Sequence, residues 1–71
     1  MSKSDEQVSF EAGALIAEMI ERGHGQPLTE NQECTAIAAW GKDAMNSGIL
    51  TENQVAAFQA GMDAWFTGSQ G

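Results

Sequence analysis

Thr29-Glu30-Asn31-Gln32 is the stretch that decides the fold, because its arrangement recurs twice more along the chain. It returns as Thr51-Glu52-Asn53-Gln54, and Ser4-Asp5-Glu6-Gln7 follows the same pattern. A hydroxyl residue followed three positions later by Gln is the capping-box signature. The hydroxyl accepts a hydrogen bond from a first-turn backbone N–H, and the Gln side chain accepts one from the N–H of the capping residue. The three stretches therefore predict where three helices begin.

The ends of these helices are predicted by glycine. Each segment continues without proline and reaches a glycine about five turns later, at Gly23, Gly48 and Gly68. Glycine readily adopts the left-handed conformation that closes a helix. The capping pattern thus predicts helices at about residues 5–22, 30–47 and 52–67.

The apolar residues support three amphipathic helices, since they recur at about 100° per residue. In the first helix the predicted core stripe is Val8, Ala12, Leu15, Ile16, Met19 and Ile20. In the second it is Ile37, Gly41, Ala44 and Met45, with Cys34 and Trp40 at its edges. In the third it is Val55, Phe58, Met62, Trp65 and Phe66. We expect Trp40, Trp65 and Phe66 to be core residues.

The connection between the second and third helices is very short, which predicts a tight hairpin. The expected fold class is therefore all-α, a compact three-helix domain that spans residues 1–71. Residues 1–3 and 69–71 lie outside the predicted helices, and we expect them to be flexible ends.

Parts of the chain resemble each other beyond the caps. The pentapeptide Leu28-Thr29-Glu30-Asn31-Gln32 recurs as residues 50–54, and Phe10-Glu11-Ala12-Gly13 is echoed by Phe58-Gln59-Ala60-Gly61. Duplication and convergence on good helix chemistry both explain such echoes. The identical pentapeptide favours duplication for the second and third helices.

The charge of the chain restricts its partners. Among its 71 residues, ten are acidic and three are basic, which gives a net charge of −7. Such a surface repels phosphate groups, so we expect no direct binding to nucleic acid and none to an anionic membrane. A DNA-reading helix-turn-helix is also excluded, because the second and third helices carry one cation, Lys42. The expected partner is another protein with a basic surface.

The expected location is the cytoplasm, or a host cytoplasm if a phage encodes the chain. The longest apolar stretch is too short to cross a bilayer, and no signal-peptide core follows Lys3. A single cysteine excludes an internal disulfide and is compatible with a reducing compartment.

Residues capable of catalysis or metal binding are few. His24 lies in a glycine-rich loop without a second histidine or a nucleophile at a plausible spacing. Cys34 has no basic neighbour that would activate it, and we expect it to be a buried, small apolar residue. Five of the ten acids fall in first helical turns, where the helix dipole favours negative charge: Asp5, Glu6, Glu30, Glu33 and Glu52. We therefore expect no enzyme, no cofactor and no bound metal.

One surface on the first helix is predicted to bind a partner. Phe10, Gly13, Ala14 and Ala17 form a second apolar strip, bordered by Glu11, Glu18 and Glu21. Phe10 is predicted to point away from the core stripe and to anchor the contact. The predicted partner-binding residues are Phe10, Glu11, Ala14, Ala17, Glu18 and Glu21.

The leading hypothesis is a small, acidic, non-enzymatic interaction module. It would act as an inhibitor or adaptor of the kind carried by phages and mobile elements, and it would occlude a basic surface on its target. An alternative is a nucleic-acid mimic that blocks a DNA- or RNA-binding protein. A further alternative is a self-assembling helical protein, a homo-oligomer joined by small-residue strips on the first and third helices.

Overall fold

The structure, a computed structural model, describes residues 2–69 and contains three helices. Helix α1 spans Asp5–His24, α2 spans Glu30–Ser47 and α3 spans Glu52–Ser69. No strand is present in this part of the chain, so the predicted all-α, three-helix fold class is confirmed. Of the ends predicted to be flexible, Met1 and residues 70–71 lie outside the described residues.

The helices begin where the capping pattern predicts. At the start of α2, the N–H of Gln32 donates to the Thr29 hydroxyl at 3.2 Å, and the N–H of Thr29 donates to the Gln32 side chain at 2.9 Å. The Thr51 box repeats both bonds at 3.2 and 2.7 Å. At the start of α1, the Ser4 hydroxyl accepts from the N–H of Gln7 at 3.1 Å. These bonds satisfy backbone donors that the helix itself leaves without partners.

The helix ends differ in part from the prediction. Gly48 closes α2 in the left-handed conformation as predicted, with φ 71°. The prediction that Gly23 closes α1 is wrong, because the helix continues to His24 and closes at Gly25, with φ 83°. Because the helical region is sterically disfavoured for the residue before a proline, Gln26 does not continue the helix, and Gly25 closes it. Gly68 lies inside α3, because glycine permits a left-handed turn without requiring one.

Helices α1 and α3 cross at the two similar stretches of sequence. A Cβ atom on Gly13 would overlap the carbonyl oxygen of Phe58, and a Cβ atom on Gly61 would overlap the carbonyl oxygen of Phe10. The pairing is reciprocal and runs in opposite directions along the two helices. Glycine at both positions therefore allows the two backbones to touch. The contact between α1 and α3 is larger than the contact between α2 and α3.

The predicted core stripe of α1 is wrong for three of its five large residues, whereas Ile16 and Ile20 pack against the core as predicted. Val8, Leu15 and Met19 are 53%, 55% and 60% exposed, whereas Ser9, Gly13 and Ala17 are buried. Both sides of α1 are apolar, so hydrophobic periodicity alone does not select the buried one. The small residues at a spacing of four form the buried side, because they let the α1 backbone lie directly on α3.

Helix α3 is the central element of the fold. The buried apolar residues are Ala17, Leu28, Val55, Phe58, Met62 and Phe66, and four of these six belong to α3. Helices α2 and α3 contact each other as expected, and the Gln59 side chain donates to the carbonyl of Ile37 at 3.3 Å. Among the described residues, the backbones of α1 and α2 do not come together. One side of α1 and much of α2 are therefore left facing solvent.

Candidate interaction surface

The exposed side of α1 carries an ordered row of apolar residues. Val8, Ala12, Leu15 and Met19 are all exposed. They are separated by four, three and four positions, which is the spacing of the apolar seam between paired helices. The row extends about 17 Å along the helix, since each residue advances it by about 1.5 Å. We call these four residues the outer face of α1.

A groove beside the outer face collects most of the residues predicted to bind a partner. It has a volume of about 300 Å³ and is lined by Phe10, Glu11, Ala14, Leu15, Glu18 and Trp65. Four of these six residues were predicted from the sequence as a binding surface. Leu15 belongs to both the groove and the outer face, so the two form one continuous surface.

Two of the predicted partner-binding residues lie elsewhere. Ala17 is fully buried in the contact between α1 and α3, and its assignment to an exposed strip is therefore corrected. Its small side chain is what allows α1 to lie close to α3, so it has no surface to offer a partner. Glu21 is half-buried and lines a separate hollow with Pro27, at the C-terminal end of α1. Phe10 remains accessible, at 39% exposure.

Two acidic side chains form one edge of the surface. The Glu11 carboxylate pairs with the Lys3 ammonium at 2.7 Å, and the Glu18 carboxylate pairs with the Arg22 guanidinium at 2.8 Å. The cationic side chains are both more than half exposed. Exposed pairs of this kind contribute little to stability. A partner's cation can therefore replace Lys3 or Arg22 at these carboxylates with little loss of stability.

The three aromatic residues assigned to the core differ in burial. Phe66 is fully buried, as predicted. Trp65 is half-buried, and its indole N–H lies in the interior without a hydrogen-bond partner in the described structure. The prediction is wrong for Trp40, which is 41% exposed. Trp40 lies on α2, and the backbone of α1 does not approach α2 to cover it.

A second groove lies between the C-terminal part of α1 and helix α2. It has a volume of about 420 Å³ and a largely apolar lining. Its lining includes Ile20 of α1, Leu28 of the connecting segment and Trp40 of α2. The only charged or titratable side chain in its lining is that of His24. This groove therefore lacks the acidic edge that borders the outer face of α1.

His24 and Cys34 line different hollows and do not form a common site. His24 is exposed, and its ring Nδ1 lies 3.0 Å from the carbonyl oxygen of Gln26. Cys34 is exposed, so the prediction that it is buried is wrong. It lies at the α2–α3 side of the fold, where it lines a hollow with Ile37 and Asp63. The described residues contain no cluster of three or more His, Cys, Asp or Glu that could hold a metal ion.

Comparisons with protein-family models, with curated proteins and with solved structures gave no match to this chain. Within residues 2–69, none of the helices combines the length and the apolar character needed to cross a membrane.

Proposed function

We propose that this chain is a non-enzymatic protein–protein interaction module that binds a protein with a basic surface and occludes it, as an inhibitor or adaptor. The observation that carries the proposal is the outer face of α1, with its acidic edge. A helix that is apolar on two sides is normally buried on both. Here α3 covers only one of them, so the other is available to a partner.

Charge and apolar contact have separate roles in this proposal. The net charge of −7 attracts a basic protein and raises the rate of encounter. The apolar residues then supply the buried contact, since the energetic centre of an interface is usually apolar or aromatic. Phe10 and Leu15 are the residues that we expect to contribute most to this centre. By analogy of size and charge, we extend the proposal to a phage- or mobile-element-encoded protein that acts in a host cytoplasm.

The proposal is tested by affinity capture from an extract of the source cells. The full chain is immobilised beside two variants, Leu15→Asp on the outer face and Met45→Asp on α2. Met45 is a matched control, because it is 47% exposed, compared with 55% for Leu15, and receives the same charge. We expect the wild-type chain and Met45→Asp to retain a basic protein that Leu15→Asp does not retain.

Two results would contradict the proposal. One is equal retention of the same proteins by all three chains, and the other is retention of acidic proteins alone. Far-UV circular dichroism of each variant shows whether it keeps its helices. Addition of duplex DNA identifies the occluded surface: displacement of the partner would mean that the chain covers a nucleic-acid-binding surface, as the mimicry alternative requires.

A further inference from the structure

The geometry of the outer face points to the kind of segment that it recognises: an amphipathic helix of the partner, with Lys or Arg along one edge. This inference rests on the proposed function and adds to it the secondary structure and the charge pattern of the bound segment. The partner helix lies along α1, with its apolar side on Val8, Leu15 and Met19. Its cations lie over Glu11 and Glu18.

The spacing of the outer face favours a helix over an extended strand or a flat surface. Val8, Ala12, Leu15 and Met19 repeat at intervals of four, three and four, which places them in one row when a second helix packs at a shallow angle. Ala12 leaves a shallow place in the middle of the row, where a larger side chain of the partner fits. The row covers about three helical turns, and it matches about two heptads of a partner helix.

The charged residues beside the row indicate which edge of the partner helix carries its cations. Glu11 and Glu18 are seven residues apart, so they occupy the same position in successive heptads along one edge. On the other side of the row, the equivalent positions are Ser9, Ile16 and Gly23, none of which is charged. Ser9 is buried and Ile16 packs against the core, so only Gly23 is exposed there. A helix with cations on one edge and uncharged residues on the other is therefore complementary to this surface.

A second copy of the chain fits the outer face less well than a basic helix does. Pairing of two outer faces brings their acidic edges into one interface, where like charges oppose association. Each copy also has a net charge of −7. A cationic segment of a different protein, in contrast, can replace the exposed Lys3 and Arg22 side chains at Glu11 and Glu18.

The inference is tested with defined peptides and the full chain. The probe is a fluorescein-labelled peptide of about two heptads, with Leu in a 3–4 repeat and Lys on one edge. One control peptide has Glu at each Lys position, and another has the probe's composition in an order that is not amphipathic. We expect fluorescence anisotropy to show binding of the probe, and at least about tenfold weaker binding of both controls. Equal binding of the probe and the non-amphipathic control would overturn the inference.

Two matched pairs of variants locate the binding site. Leu15→Asp is expected to weaken probe binding by about tenfold or more, and Met45→Asp by about twofold or less. The double variant Glu11→Gln/Glu18→Gln is compared with Asp43→Asn/Asp63→Asn, which changes the net charge by the same amount. We expect about tenfold weakening for the first pair and about twofold for the second. Equal effects would show general attraction by net charge and would overturn the inference.

Failure of this inference and failure of the proposed function give different results. If the captured partner requires Leu15 but the probe does not bind, the inference is wrong and the proposed function stands. If neither the partner nor the probe distinguishes Leu15→Asp from Met45→Asp, both are wrong. If sedimentation at about 0.15 M salt shows a dimer that Leu15→Asp dissociates, a second copy covers the outer face and the inference is overturned.

Discussion

Gly13 and Gly61 set the distance between α1 and α3, because each occupies a place where a side chain would meet a carbonyl oxygen of the other helix. The sequence contains a sign of this contact, since both glycines end a Phe-x-Ala-Gly stretch. The similarity identifies two equivalent glycines but does not say that they face each other. That fact depends on how the two helices pack, and it becomes visible only in the structure.

The first prediction concerns these glycines. We expect Gly13→Ala to lower the free energy of unfolding by about 1–3 kcal/mol, because the added methyl group forces the two backbones apart. Urea denaturation followed by far-UV circular dichroism measures this change. Gly23→Ala is the matched control in the same helix, since no atom apart from neighbouring residues and the adjacent backbone of α1 lies within 4 Å of the added carbon. The control should raise the free energy of unfolding by up to about 1 kcal/mol, and an equal loss of stability in both variants would contradict the packing.

At the scale of the helix, the sequence predicts the starts well and the orientation poorly. Capping boxes are local, so the residues around Thr29 and Thr51 determine their own geometry. The orientation of α1 is a tertiary property. Burial of the side that carries larger residues such as Leu15 would remove more apolar surface from water. Burial of the side that carries Ala17 and its small neighbours lets the backbones of α1 and α3 lie closer together. The close approach of the two backbones decides which side of α1 is buried, and hydrophobic periodicity in the sequence does not predict it.

The second prediction tests the cap of α3. Thr51→Ala removes the hydroxyl that accepts from the N–H of Gln54 at 3.2 Å, so we expect a loss of about 1 kcal/mol in the free energy of unfolding. Thr67→Ala in the same helix is the control, because Thr67 is exposed and Ala favours the helix interior. Chemical denaturation of both variants gives the comparison. A loss in Thr67→Ala as large as that in Thr51→Ala would mean that the cap does not stabilise α3 specifically.

At the scale of the whole molecule, the packing of α1 through its small residues explains which part of the candidate surface the sequence predicts. Phe10 and Ala14 are predicted because they belong to a second apolar strip, and Glu11 and Glu18 because they border that strip. Leu15, which completes the groove and the outer face, is missed because its size and periodicity assign it to the core. A chain with a central helix and two outer helices has too little covering surface to bury every apolar stripe. The stripe left over is then the surface available to a partner.

The third prediction concerns the balance between charge repulsion and apolar attraction in the whole molecule. The chain measures 33 Å along its longest axis, and charges interact over about 30 Å at 0.01 M salt but only about 3 Å at 1 M. We therefore expect a monomer at low salt and weak, concentration-dependent association at about 1 M, since screening removes the repulsion and leaves the apolar attraction. Analytical ultracentrifugation at both salt concentrations measures this change.

The variants Leu15→Asp and Met45→Asp and the peptide probe provide the controls for the predicted salt dependence. At about 1 M salt, Leu15→Asp should associate less than Met45→Asp, because only the first interrupts the outer face of α1. Probe binding should change in the opposite direction and weaken as salt rises, since attraction to Glu11 and Glu18 contributes to it. A stable dimer at low salt would show that net charge does not keep copies of the chain apart. Self-association and probe binding that both strengthen with salt would show that the acidic edge has no part in recognition.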